Sequence, residues 1–449
     1  MPWLDIAATA GVLATLVIGI AARRRPPTAT WIVAVATALT LIVAFLVEGA
    51  RWQLFLLAGL AALVAGTVIW ARSGRLRGLA SATGVVLAIG LVGTGVAAWG
   101  LPPVYVPAPT GPHAVGITTT VWTDATRDAR GGDGDGDGDG ERRSIPATIW
   151  YPAEASEDSV AFLPQRERVD TLTRALADQY GMPSLVFDGL AAARANAGGD
   201  ADPEAGSFPV VIASPGSQST RWFATSWAEE VASHGVIVIA LDHPYDSAAA
   251  ELADGTTAFG ELVSTGDDAR DQAAADHAAA VRAADIIAVV DVLVDGSSPI
   301  AALGAVDPER IVTAGHSLGG AAAIEAARLD DRISGTIDID GMPRSPQGTT
   351  LGRPAVFLIA GDADPNPAYD ATVETLLSDG TGARLTFDGV AHLGLVDAGL
   401  LLAPIPGVTG THGPGGPRLV AQATLVLIDA VSADKPLDLR ALAALGDVG

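Results

Sequence analysis

The 449-residue chain has no cysteine, which removes disulfides, thiolate metal sites and a cysteine nucleophile from consideration. Cations are scarce too: 27 Lys and Arg stand against 51 Asp and Glu, a formal charge of −24. Grip on a phosphate backbone needs clustered Lys and Arg, so a nucleic-acid partner is excluded, and the acidity reads as a solvated surface. The mean hydropathy is nevertheless +0.35, because most of the first hundred residues are apolar. The remaining three-quarters of the chain is an ordinary globular mixture.

Four apolar stretches fill that first quarter, roughly Ile6–Ala22, Thr30–Val47, Trp52–Ala71 and Gly78–Trp99. Each is near the ~20 residues a bilayer demands. Trp31, Trp52, Trp70 and Trp99 sit near their ends, where amphipathic rings prefer the headgroup layer. A signal peptide fits poorly, because the n-region lacks Lys and Arg and three further spans follow. Arg23–Arg25 lie between spans one and two, and Arg72, Arg75 and Arg77 between three and four. The turn between two and three holds only Glu48 and Arg51. Positive loops stay cytoplasmic, so both termini, and everything beyond Trp99, are expected outside the cytoplasm. No ionisable group falls inside the four stretches, which points to an anchor (residues 1–100) and not a transporter or sensor.

A Pro-rich linker, "LPPVYVPAPTGP" (101–112), comes next, and residues 113–449 form the second domain. Candidate strands "VGITTTVW" and "IPATIWYP" flank an alternating Asp/Gly loop (131–140). That loop cannot pack a core, and it lacks the terminal Glu of an EF-hand calcium loop. Residues 160–206 read as helical pieces, a candidate lid. From Phe208, apolar runs "FPVVIAS", "GVIVIALD", "ERIVTAG", "GTIDID" and "PAVFLIAG" alternate with helical stretches. This pattern predicts an α/β architecture, a mostly parallel sheet with helices on both faces, its ligand site at the carboxyl ends of the strands.

One such end carries Gly315-His316-Ser317-Leu318-Gly319 between a buried strand and an Ala-rich helix. This is G-x-S-x-G in the strand–turn–helix setting of a nucleophile elbow, and Ser317 is the candidate nucleophile. A serine hydroxyl needs a base. Of the histidines downstream of Ser317, His392 follows a strand-like segment, whereas His412 reads as a surface-loop residue. The histidines at 234, 243, 277 and 316 read as helix-end, loop or elbow residues. The acid that orients the imidazole is left open among Asp340, Asp362 and Asp364, all at strand ends. Two backbone N–H groups must meet the oxyanion: those of Leu318, after the nucleophile, and Ser217, beside Gly216 in "IASPGSQST".

At these residues the chain resembles the α/β-hydrolase family of platelet-activating factor acetylhydrolases and their bacterial relatives. The resemblance runs from about Gly111 to the C-terminus, through "FPVVIASPGSQSTRWF", "GHSLGGAAAIEAARLDDRISGTIDIDGMP" and "GVAHLGLVD". It implies an α/β-hydrolase fold with the acid on the strand after the elbow, which selects Asp340. Bacterial cutinases and polyester hydrolases are similar here as well and place the acid one strand later, where Asp364 is the alternative. Together these readings predict a membrane-anchored serine hydrolase of lipid-like or short-chain carboxylic esters. Its triad is Ser317, His392 and Asp340, and the chemistry needs no metal and no organic cofactor. An acyltransferase using the same triad and an inert hydrolase-like sensor or scaffold are the competing readings.

Overall fold

The computed structural model describes residues 3–449 apart from 22–27, 50, 72–76, 133–140, 155–158, 163–165, 262–263, 297, 346–347, 363–365, 403–404 and 412–414. Arg23–Arg25, Arg72, Arg75, most of the Asp/Gly loop, Asp364 and His412 therefore lie outside the described residues. The chain divides into two compact units. One is Met1–Tyr105 with Leu185–Ala193 and Leu401–Ala403, and the other is the remainder.

In the first unit, α1 (Trp3–Ala21), α2 (Thr28–Val47), α3 (Trp52–Ala71) and α4 (Arg77–Gly100) are each long and apolar enough to cross a membrane. Ala8, Val12, Leu16, Leu54, Leu57 and Leu91 form the interior, yet Ile32, Leu39, Val86 and Ile89 are mostly exposed. A bundle apolar inside and out suits a hydrocarbon surrounding. Small residues let the backbones approach: a β-carbon on Gly11 would stand 2.2 Å from Thr37 Oγ1, and one on Gly19 2.4 Å from Val68 Cγ2.

The first helix begins at Trp3, not Ile6, and takes Asp5 into its first turn. Asp5 is buried and 2.5 Å from Arg51, which also faces Glu48 at 3.7 Å. A carboxylate at a helix N-terminus is favoured by the macrodipole, and apolar surroundings favour its pairing. The turn between α2 and α3 is thus a buried ion-pair cluster.

The second unit is built on one sheet, which has eleven strands among the described residues, ordered β13-β12-β11-β10-β9-β5-β6-β2-β1-β4-β3. Its parallel heart is β5 (Phe208–Ser214), β6 (Ile237–Leu241), β9 (Val306–His316), β10 (Ile333–Ile339), β11 (Ala355–Ala360) and β12 (Gly382–Phe387). The β1 (Ala114–Asp128)–β2 (Arg142–Ala153) hairpin extends one edge and antiparallel β13 (Asp447–Val448) the other. A separate hairpin, β7 (Ala249–Glu251) with β8 (Thr257–Phe259), follows β6. Residues 160–206, expected to be helical, divide. They hold α5 (Arg166–Tyr180), α6 (Asp188–Ala192, in the first unit) and β4 (Arg194–Gly199). β4 joins the main sheet, parallel to β1 and antiparallel to β3 (Ser159–Ala161).

The central strands are fully buried β-branched runs, so helices must cover both faces. On one face lie α8 (Asp268–Asp295) and α9 (Leu318–Leu329). Ile286, Val289 and Leu293 of α8 and Ala322 and Ala326 of α9 pack on Ile149, Val210, Ile212, Ile239 and Ile311. Each fully buried Val, Leu or Ile contributes about 1.5–3 kcal/mol. α10 (Pro367–Leu376) continues this layer through Val373 and Leu376 against Phe357 and Ile324. α7 (Thr225–Ser233) and α12 (Gly416–Ser432) cover the other face, tied by Trp227 Nε1 donating to Thr424 Oγ1 at 3.0 Å. α11 (Ala398–Leu401) and α13 (Leu439–Ala443) are short.

α9 packs so closely that side chains are excluded where it starts. A β-carbon on Gly319 would lie 2.1 Å from the Ser214 carbonyl oxygen, and one on Gly320 2.0 Å from Asp338 Oδ1. Gly319→Ala is therefore expected to destabilise the second unit by about 2–3 kcal/mol through overpacking. Gly304→Ala, whose β-carbon would meet nothing within 4 Å, should stay within about 0.5 kcal/mol of wild type. Urea unfolding followed by tryptophan fluorescence compares the two.

Candidate active site

Ser317 closes β9 and caps α9 at φ 55°, ψ −121°, a left-handed corner that a non-glycine residue occupies only under restraint. The restraint is a ladder between strand ends: the Ser317 N–H donates to the Ile339 carbonyl at 2.9 Å, and its own carbonyl accepts from Gly320 N at 2.9 Å. The hydroxyl is thereby carried off the strand line above the first turn of α9, whose free N–H groups present positive charge. Leu318 is the first residue of that helix.

Asp340 repeats the device one strand over. It follows β10 at φ 55°, its N–H donating to the Leu358 carbonyl at 2.7 Å. Residues i and i+2 of a strand share a face, but the turned backbone separates Asp340 from Asp338. Asp338 runs under α9, where Oδ1 accepts from Gly341 N at 2.8 Å and Oδ2 has no partner among the described residues. Burial pushes its carboxyl well above the usual range. Asp340 instead reaches His392: Nδ1 donates to Oδ2 at 2.6 Å, while Oδ1 accepts from Ala360 N at 2.9 Å. Burial alone would raise the Asp340 carboxyl, but these two donors outweigh it and the net direction is down. With Nδ1–H committed, His392 keeps Nε2 as an acceptor. Its ring is 43% exposed, so water reaches it.

His392 opens a short 3-10 turn, His392–Leu395, held at two places. Downstream, the buried Asp397 carboxylate accepts from Ser226 N at 2.8 Å and from the Ser226 hydroxyl, at the start of α7. Upstream, the His316 ring packs against the His392 ring at 4.3 Å between centroids, tilted by 38°, and His316 Nε2 donates to the His392 carbonyl at 3.0 Å. His316 thus wedges the histidine loop apart from Gly216, where a β-carbon would stand 3.0 Å from His316 Nδ1 and 3.6 Å from Ser317 Cβ. The Ser217 segment accordingly lies beside the elbow.

The structure thus brings His392 to Asp340 and the Ser217 segment to the Ser317–Leu318 corner. Asp362 interacts elsewhere, its N–H donating to the Val390 carbonyl at 3.3 Å, and Asp364 lies outside the described residues. Among the described residues, no three His, Asp or Glu side chains are grouped to hold a metal. Sequence reasoning missed His316, which it took for a plain elbow residue. Its one signal was its place inside the motif. It also missed His243, which is fully buried, with Nδ1 donating to Asp285 Oδ2 at 2.7 Å and Nε2 accepting from Ser214 Oγ at 2.8 Å.

Comparison with known proteins bears on the fold and on part of the hydrolase domain. Residues 101–260 match the family model of platelet-activating factor acetylhydrolase, isoform II, a segment that includes the Ser217 loop and stops before the elbow. A ferulic acid esterase from Streptomyces cinnamoneus superposes with a TM-score of 0.61 at 25% identity, over 75% of this chain and 96% of that one. The chain has an α/β-hydrolase fold and is similar to platelet-activating factor acetylhydrolases over residues 101–260. A curated relative, the probable 1-alkyl-2-acetylglycerophosphocholine esterase of Arthroderma benhamiae, is 31% identical over 173 residues. That alignment takes in 38% of this chain and 41% of the fungal protein, so the chain matches under half of that relative's length.

The buried position of His316 generates a pH prediction. Burial first, and then the neighbouring His392, push its pKa down to about 3 from an ordinary 6.5. A lowered histidine pKa gives stability that is present above pH 6.5 and is lost as pH falls toward 3, because the unfolded chain binds the proton first. Between pH 6.5 and 4 the wild type should lose about 3 kcal/mol more than His316→Gln. Urea unfolding of both proteins across that range measures the difference, which isolates His316 from the other titrating groups.

Proposed function

We propose that the chain is a membrane-anchored serine esterase that hydrolyses carboxylic esters of lipid-like or short-chain acyl groups. Ser317 is the nucleophile, His392 the general base and acid, and Asp340 the group that orients the imidazole. The observation that carries this reading is the 2.6 Å His392–Asp340 hydrogen bond beside a serine at a left-handed corner. Both esterase likenesses support it, the one named for an acetylated glycerophospholipid and the other for a ferulic acid ester.

In the first half-reaction Ser317 Oγ attacks the ester carbonyl and its proton passes to His392 Nε2. Asp340 stabilises the resulting imidazolium without taking the proton. The Ser217 and Leu318 N–H groups meet the oxyanion, where such donors act most strongly because they are already oriented. Collapse of the tetrahedral adduct expels the alcohol, which takes the proton from His392, and leaves an acyl-serine. Water then attacks the acyl carbonyl, giving its proton to His392, and the acid departs as Ser317 is restored. The exposure of the His392 ring favours water as the acceptor. α1–α4 serve as the anchor (residues 1–100), and the hydrolase domain (113–449) faces outward, following the arginines of the two odd-numbered turns.

Ser317→Ala should lower kcat on p-nitrophenyl butyrate by 10³-fold or more, and Asp340→Asn by about 10²–10⁴-fold with little change in KM. Substantial turnover by purified Ser317→Ala would end the assignment. The absence of native cysteine makes orientation directly measurable. In intact cells, a membrane-impermeant maleimide should label Lys435→Cys and leave Arg24→Cys unlabelled. The reverse pattern would place the hydrolase domain in the cytoplasm.

A further inference from the structure

We propose that Arg282 is a positioning residue: it clamps the Gly216 carbonyl from beneath and so aims the Ser217 N–H of the same peptide at the reacting ester. The proposal rests on the reading of Ser217 and Leu318 as oxyanion donors. It adds what makes that donor point the right way.

Arg282 sits in the Ala-rich middle of α8, where its charge suggests a solvated face, yet its side chain is fully buried. One guanidinium holds three successive loop residues. Nη2 donates to the Gly216 carbonyl at 3.3 Å, Nη1 donates to the Pro215 carbonyl, and the same Nη1 is 3.4 Å from Ser214 Oγ. Nε is anchored on Asp246 Oδ2 at 2.5 Å. A trans peptide is planar, with C=O and N–H on opposite sides. Drawing the Gly216 oxygen toward Arg282 therefore turns the Ser217 N–H away from it. That N–H has no protein acceptor among the described residues, and Ser317 stands beside the same peptide.

The loop needs such a hold. The Ser219 N–H closes a turn on the Gly216 carbonyl at 3.1 Å, and Gln218 is held at φ 51°, a left-handed conformation unfavourable for a side chain other than glycine. A planar fork can reach two neighbouring carbonyls at once, whereas an ammonium is a single point charge. Behind the clamp, Asp285 of α8 collects Arg143 Nη2 at 2.7 Å, Arg127 Nη2 at 2.6 Å and His243. His243 in turn accepts the Ser214 hydroxyl proton, which leaves that oxygen free to face Arg282. With Asp124 on Arg127 at 2.6 Å, three guanidiniums balance three carboxylates. The buried group is electroneutral, and its rigidity is passed to the loop.

The test compares wild type, Arg282→Lys and Asp246→Asn as full-length protein in detergent. It measures p-nitrophenyl butyrate kinetics and inhibition by an alkylboronic acid. The boronic acid forms a tetrahedral anion when Ser317 Oγ bonds to boron and its proton moves to His392. Arg282→Lys is expected to lower kcat at least tenfold with KM within twofold, and to weaken boronic acid binding by the same factor as kcat/KM. A purely structural role would lower the melting temperature while leaving kcat and boronic acid affinity per folded molecule unchanged, and that result overturns the proposal. If Arg282→Lys does not fold, Asp246→Asn decides by the same pair of readouts, since it removes the charge that anchors the Nε end and keeps the guanidinium. Failure of the underlying reading looks different: the wild type would resist the boronic acid, and Ser317→Ala would keep its turnover.

Discussion

The site depends on a place where three backbones meet without side chains. At the carboxyl ends of β5, β9 and β10, β-carbons on Gly315, Gly319, Gly320 and Gly341 would each fall within about 2.4 Å of another segment's atoms or the next turn's. Only glycine allows α9 to start this close to the sheet. The closeness lets the Ser317 amide reach the Ile339 carbonyl, and that bond holds the strained corner. The strain has a use. A serine in ordinary strand geometry would lie along β9, whereas the left-handed turn lifts its hydroxyl over a helix N-terminus.

Around this corner, positioning is done by pairs of loops that restrain one another. The histidine loop is pinned to the elbow by His316 and to α7 by Asp397. The Ser217 loop is pinned to α8 by Arg282. Ion pairs buried this deeply gain little net stability over apolar packing, because desolvation offsets most of the Coulomb attraction. Their value here is geometric. A guanidinium fork or an imidazole with both nitrogens engaged defines the orientation of the groups it holds, which an aliphatic side chain of similar size does not.

Much of this was legible in the sequence. The parallel strands betrayed themselves as short β-branched runs, and the elbow as glycines around one serine between a strand and a helix. Asp340, one of three acids at strand ends, is the one hydrogen-bonded to His392. What escaped shares a physical cause. β4, "RANAGG", has no β-branched residue and is a strand only because β1 and β3 offer it partners. Asp5 and Arg51 looked like boundary residues of separate apolar stretches, and their pairing spans 46 positions. Arg143 and Asp285 are 142 positions apart, and Arg282 in its run of alanines resembles any solvated helix residue. Local periodicity reports which face of an element is buried. It carries no information about a charge neutralised by a partner from another element.

The most direct measurement of the central claim is to trap the covalent intermediate. Purified protein is mixed with p-nitrophenyl butyrate, quenched in acid within the pre-steady-state burst, digested and analysed by mass spectrometry. One butyryl group is expected on the peptide that contains Ser317, and none on that peptide from His392→Ala. A butyryl group on a different residue, or steady turnover with no acyl-protein at any quench time, would contradict it.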